Sequence, residues 1–457
     1  MKHLKRYHNR IGHHKFGFPH KHNPKKKLFR RIVFIAGIPL LFALVFLFIK
    51  NQPSKMLLID NTQDQENTQL DNIASNLPTG QENADVMVSG TQSDANVLGA
   101  SSQKKAAQVQ TQTSVQSALT INGYGIAAGG GLIYLGQGDL NRYFELLKSL
   151  GVQWVRWDVD WSVVQKDGPS IYDWTGADRV AQTAQKYGLN SLGIITYTPK
   201  WASDKSCKSD VKCAPADPGQ YGKFAGEVAF RYKDSITYLE IWNEPNYFLA
   251  WGVRPNAGKY AELLKAAYPE IKKLNPSAVV LSGGLAATSN EKDGSIGPLA
   301  FMKTLYAAGA NKYFDAIALH PYTYPASPNY KAWWTHWQEI SPIRKLMVDS
   351  GDAEKKIWFT EIGAPTGGGG KAYAANQVNG FKYGSDFMKE SAQNDILKEA
   401  LVIYQKNKDW MGPFFWYSLK DESDKKDTPE NFFGLLRYDG SKKPAYDVFK
   451  NAILNNK

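Results

Sequence analysis

The first 50 of the 457 residues contain no aspartate or glutamate, residues 51–120 contain no aromatic side chain, and the chain has only two cysteines, Cys207 and Cys213. The first absence makes the net charge of +12 local: residues 1–50 carry 12 Lys/Arg, leaving 43 basic against 43 acidic residues beyond them. A nucleic-acid-binding domain should carry its own basic footprint, so nucleic acid is not an expected partner. The second absence excludes a packed core over 51–120, a stretch rich in Gln, Asn, Ser, Thr and Asp that cannot offset the entropy of ordering. It reads as a disordered tether with a mean reach of ~45 Å. No Gly-x-Gly-x-x-Gly opens a helix, because Gly129-Gly130-Gly131 has the wrong spacing, and neither a phosphate loop nor a His/Cys/Asp/Glu cluster with metal-ligand spacing is found. No cofactor and no metal is implied.

Residues 32–49, IVFIAGIPLLFALVFLFI, form an uncharged apolar run bracketed by Arg30-Arg31 and Lys50. Eighteen apolar positions just span a bilayer core, and Pro39 is tolerated there. The 11 Lys/Arg before it place the N-terminus in the cytoplasm by the positive-inside rule, and so everything after Lys50 outside. A cleaved signal peptide is the rival reading, but its charged region is rarely this long and no A-x-A-like site follows at Asn51-Gln52-Pro53-Ser54. Six of the eight histidines (His3, His8, His13, His14, His20, His22) lie in the same tail, which reads as a disordered polybasic flank. The expected organisation is a basic cytoplasmic tail (1–31), a transmembrane anchor (32–49) that makes the membrane a partner, a disordered linker (50–120) and a catalytic domain (121–457).

Beyond residue 121 short β-branched or apolar runs alternate with longer amphipathic stretches. Strands are predicted at 123–128, 154–158, 191–197, 236–243, 278–282, 314–320, 357–361 and 413–418, with a helical pattern after each. The clearest helices are predicted at 139–150, 175–187, 221–232, 257–274 and 391–407, and one around 444–454 closes the ring. Eight such units predict an α/β fold, a (β/α)8 TIM barrel, with a doubly wound open sheet as the alternative.

In such a barrel catalytic groups stand at the C-terminal ends of strands. The fourth predicted strand ends in Trp242-Asn243-Glu244-Pro245-Asn246 and the seventh in Thr360-Glu361, 117 residues on, or three units of 39. A lone Asn-Glu-Pro suits a chance turn and a lone Thr-Glu means little; their joint spacing, with His320-Pro321-Tyr322 between them, carries the weight. These strings, with Trp416 on the eighth strand, resemble the clan A glycoside hydrolases over roughly residues 123–454, most nearly family 39 and its exopolysaccharide-hydrolase relatives, with family 5 cellulases next.

The resemblance implies a retaining glycosidase, with Glu244 as general acid and then base and Glu361 as nucleophile. By the same analogy Asn243 hydrogen-bonds the sugar 2-hydroxyl, His320 and Tyr322 flank the nucleophile, and Trp416 floors the subsite at the cleavage point. Arg156 either holds Glu361 ionised or forms a salt bridge inside the barrel, and Glu240 reads as an interior structural carboxylate. Tyr197, Trp201, Tyr247, Trp251 and Tyr324, near strand ends, are further subsite candidates, whereas Trp333, Trp334 and Trp337 suit packing in the sixth helix equally well. Residues 367–370, four glycines, suit a loop that moves as a lid or a plain surface loop. Cys207 and Cys213, in an oxidising compartment on this topology, are expected to pair.

The expected substrate is a β-linked polysaccharide or oligosaccharide outside the cytoplasm, in a groove. Three other readings stay open at this point: a transglycosylase on the same residues, a carbohydrate-binding protein that has lost turnover, and an anchored scaffold.

Overall fold

The computed structural model describes residues 121–207, 212–332 and 335–456. The expected tail, anchor and linker, and Trp333 and Trp334, lie outside the described residues; among the described residues no helix is long and apolar enough to cross a membrane.

Eight parallel strands close into a barrel: β1 (Tyr124–Ala127), β2 (Trp154–Asp160), β3 (Asn190–Thr196), β4 (Tyr238–Asn243), β5 (Val279–Ala286), β6 (Ile317–His320), β7 (Ile357–Ile362) and β10 (Met411–Tyr417). Each barrel strand pairs with its neighbours in sequence, and β1 pairs with β10. Two short strands, β8 (Ala372–Tyr373) and β9 (Phe387–Met388), form a separate pair.

Strand alternation sorts side chains between two cores. On β2, Val155, Trp157 and Val159 join the large core beneath the helices, whereas Trp154 joins the smaller cluster of the barrel interior. There Trp154, Tyr238, Trp358 and Phe415 meet with ring centroids 4.8–6.2 Å apart. This aromatic plug fits because glycines face it: a Cβ on Gly125 would come within 2.5 Å of Phe415, and one on Gly412 within 2.2 Å of Trp358. The plug makes the lower barrel a solid floor and leaves the polar chemistry to the upper layer.

Helix ends follow local signals. Gly151 closes the helix Gln137–Leu150 at φ 94°, a left-handed conformation that suits glycine. Asp217 and Pro218 open Pro218–Arg231, and Asn256 caps Ala257–Leu274 by accepting from the Lys259 N–H at 2.9 Å. Gly222 lets those two helices touch, since a Cβ there would stand 2.6 Å from the Ala266 carbonyl oxygen. Trp337 lies in a 3-10 turn (His336–Glu339) that precedes the helix Ile340–Asp349, and packs on Phe359. The glycine run is packed at its start: Gly367 and Gly368 are buried, one against the Phe432 ring and the other against the Ser385 carbonyl. Gly369 and Gly370, at its end, are exposed.

Candidate active site

The site is built upward from the aromatic floor. Two residues beyond Trp154 on the same face of β2 is Arg156, fully buried. Its guanidinium donates from Nε and Nη2 to both oxygens of Glu240 at 2.8 and 2.9 Å, and Nη1 donates to Glu361 Oε1. Arg156 therefore fills both roles read from the sequence, interior salt bridge and partner of Glu361. Glu240, also fully buried, further accepts from the Gly284 N–H at 2.8 Å. A buried ion pair is tolerated only when its remaining hydrogen-bonding positions are filled, and these are.

The end of β4 is bent to present Glu244. Trp242 and Glu244 adopt positive φ of 71° and 51°, at a cost of about 1–2 kcal/mol each for non-glycine residues. The surroundings hold both in place. The Trp242 indole is fully buried against Tyr197, Tyr221 and Trp251, and donates to the Ala250 carbonyl at 3.2 Å. The Glu244 N–H donates to the Gly284 carbonyl at 3.0 Å. Asn246, fully buried, accepts from the Ala286 N–H and donates to the carbonyls of Ala286 and Ile296, fastening the turn to β5.

Asn243 Oδ1 accepts from Arg156 Nη2 at 2.9 Å, which turns its amide nitrogen away from the guanidinium. His320, fully buried at the end of β6, faces Arg156 Nη2 with Nε2 at 3.2 Å and Glu244 Oε1 with Nδ1 at 3.0 Å. A guanidinium can only donate, so Nε2 accepts and the imidazole proton sits on Nδ1, donated to Glu244. Gly284 makes room for this ring, for a Cβ would come within 2.1 Å of His320 Nε2.

Glu361 accepts at both oxygens, from Arg156 at Oε1 and from the Tyr322 hydroxyl at Oε2, the latter at 2.8 Å. Burial pushes its carboxyl up, but the neighbouring His320 and Arg156 and the hydrogen bonds from Tyr322 and Arg156 outweigh burial and hold it below the ordinary carboxylate value. One oxygen of Glu244, one of Glu361 and a ring nitrogen of His320 all lie within 4.8 Å of one another. Such a trio resembles a cation site. Its donors, however, are already engaged: Arg156 supplies the positive charge at Glu361, and the His320 proton is directed at Glu244.

Above these groups opens a cavity of about 970 Å³, lined among others by Tyr197, Asn243, Glu244, Tyr247, Tyr322, Tyr324 and Glu361. Three expected subsite tryptophans are not there. Trp416 is fully buried in the core beneath the helices, because Phe415 and Tyr417 take the inward positions of β10; Tyr417 lines the cavity in its place. Trp251 is buried under the β4 end, and Trp201 is turned to donate to the Gln165 carbonyl at 2.7 Å with its ring edge-on to Trp161. Strand parity identifies Tyr417: the residues flanking an outward Trp416 must face in. Asp158, Lys212, Glu430 and Phe433 also line the cavity; of these only Asp158 carries a sequence signal, two residues past Arg156 on the inward face. A disulfide joins Cys207 to Cys213, next to Lys212 on the rim.

No family model matches the sequence. Among curated proteins it is similar to the inactive beta-amylase 9 of Arabidopsis thaliana, 28% identical over 101 residues that make up 20% of this chain and 17% of that protein. Chloroplastic beta-amylase 1 of the same plant is 34% identical over 53 residues, 12% of this chain and 9% of the relative. The chain thus spans less than a fifth of the curated relatives it matches.

Solved structures show wider likeness. A family 39 glycoside hydrolase from Bacteroides cellulosilyticus WH2 superposes with TM-score 0.55 at 23% identity, covering 72% of this chain and 63% of the other. The GH39 enzyme from Xanthomonas axonopodis pv. citri gives 0.51 at 17% identity, covering 72% and 65%. A glucosidase from Croceicoccus marinus gives 0.50 at 14%, covering 74% and 66%. At these identities the likeness shows the fold.

Proposed function

We propose that this chain is a retaining glycoside hydrolase that cleaves β-linked bonds of a polysaccharide outside the cytoplasm. The observation that carries the reading is the carboxyl pair of Glu244 and Glu361, with one oxygen of each within 4.8 Å of the other at the mouth of the barrel. Retaining enzymes hold their two carboxyls roughly 5–5.5 Å apart, whereas inverting ones need roughly 6.5–9.5 Å to admit a water.

The two environments assign the roles. Glu361, kept ionised by Arg156 and Tyr322, attacks the anomeric carbon as Glu244 gives its proton to the departing glycosidic oxygen. The carbon–oxygen bond breaks and a glycosyl ester forms on Glu361. Ester formation removes the negative charge facing Glu244, which then takes a proton from water as that water attacks the same carbon. Two displacements leave the configuration unchanged. His320 Nδ1–H orients Glu244 through both steps, and the Asn243 amide nitrogen is placed to meet the sugar. The test is the anomer first released from a β-glycoside, read by NMR before mutarotation: β supports the reading and α contradicts it.

Tyr322→Phe isolates the nucleophile's support. Losing a hydroxyl donor to Glu361 raises the carboxyl pKa, so the acid limb of kcat/KM should move to higher pH and the rate fall by about tenfold or more. An acid limb left in place would show that Glu361 is not the group that sets it.

The location rests on sequence: the basic residues lie before the apolar run 32–49, and the Cys207–Cys213 disulfide suits an oxidising compartment. Protease added to intact cells should reach the barrel while residues 1–31 stay protected. Protection of the barrel would contradict the topology.

A further inference from the structure

The charged side chains of the cavity are unevenly divided. Asp158, Glu291, Asp293, Glu361 and Glu430 line it, besides Glu244, which carries the proton as the acid of the first step; among the described residues that line the cavity, Lys212 is the one lysine or arginine. Beneath them Arg156 is shared between two carboxylates, Glu240 and Glu361, which leaves its charge already overmatched.

Asp158 stands out within this group. It is 7% exposed, follows Arg156 by two on the inward face of β2, lines the cavity, and accepts no hydrogen bond among the described residues. Gly130 faces it without a side chain; a Cβ there would stand 3.0 Å from Asp158 Oδ2. Burial and the negative charges of Asp160 and Glu361 outweigh the attraction of Arg156 and Lys212, and push its carboxyl up to about 7. The Asp158 carboxylate thus meets the cavity with no protein donor on it among the described residues, and a ligand that brings a charged donor gains a charge-assisted hydrogen bond there.

We propose that the ligand completing this site is an ammonium group, and that the glycan cleaved here carries free amino groups, one of which Asp158 binds in the cavity. The proposal rests on the glycosidase reading and names its substrate class. A sugar hydroxyl would satisfy the Asp158 hydrogen bond but leave the net negative charge of the cavity unmet; an ammonium satisfies both. A uronate chain would be repelled by the same carboxylates.

The test compares kcat/KM of the full-length chain on β-linked glucosamine oligomers, 1,4- and 1,6-linked, with free amines, and on their N-acetylated and neutral glucose counterparts. The free amine should raise kcat/KM by about tenfold or more, the yield of one charge-assisted hydrogen bond. Asp158→Asn should remove that advantage, chiefly through KM. Gly130→Ala, which crowds the same carboxylate without changing its charge, should weaken it independently.

Equal or better turnover of the acetylated or neutral oligomers overturns the proposal, as does an amine preference that survives both substitutions. Failure of the underlying reading is separate: it would show as no covalent labelling of Glu361 by any activated glycosyl fluoride, whatever its amino substitution.

Discussion

Glu361→Gln should lower kcat on every glycoside by on the order of 10⁵-fold or more, whatever the leaving group. The amide cannot attack the anomeric carbon, and no property of the leaving group replaces an attacking carboxylate. The fold should survive the change, because Arg156 keeps its two-point bond to Glu240 and so remains a paired charge in the barrel. The variant should therefore melt cooperatively near the wild type and still bind oligosaccharide, which separates loss of chemistry from loss of structure. Residual activity within a hundredfold of wild type would mean that another group performs the attack.

Glu244→Gln should behave differently. Its loss should reach roughly 10²–10⁴-fold on substrates with poor leaving groups, which need the proton, and be small in the glycosylation step of an activated aryl glycoside. The second step then lacks its base and the glycosyl ester accumulates. Azide needs no deprotonation, so it should restore turnover and give a β-glycosyl azide. Equal losses across leaving groups, with no azide product, would remove Glu244 from the acid/base role.

All eight barrel strands were legible in the sequence because both faces of each are buried, so each reads as a compact apolar run with a definable polar end. The same property exposed Glu244 and Glu361, and the structure brings Arg156, Asn243, His320 and Tyr322 around them. Side-chain direction was less legible. Trp416 and Tyr417 are adjacent aromatics at one strand end, and only the parity set by Phe415 against the interior plug tells which faces the cavity. Trp201 and Trp251 follow strands yet serve as packing, since a loop tryptophan's direction depends on partners distant in sequence such as Gln165 and Tyr260. Gly284 carried no signal at all, because the space it leaves is defined by His320 on the neighbouring strand. Asp158, two residues beyond Arg156, suits a salt bridge to it by sequence alone, but the guanidinium is taken by Glu240 and Glu361.

The central claim is that Glu361 becomes covalently attached to the sugar, and trapping that ester tests it directly. Activated 5-fluoro glycosyl fluorides are suited to this: fluorine beside the ring oxygen slows both displacements, and the fluoride leaving group needs no acid, so the ester forms faster than it breaks down. They also leave the 2-position free to carry an amine. Peptide mass mapping of the inactivated protein should place one glycosyl unit on Glu361, with none on the Glu361→Gln chain. A label on Glu244 or any other residue would contradict the account.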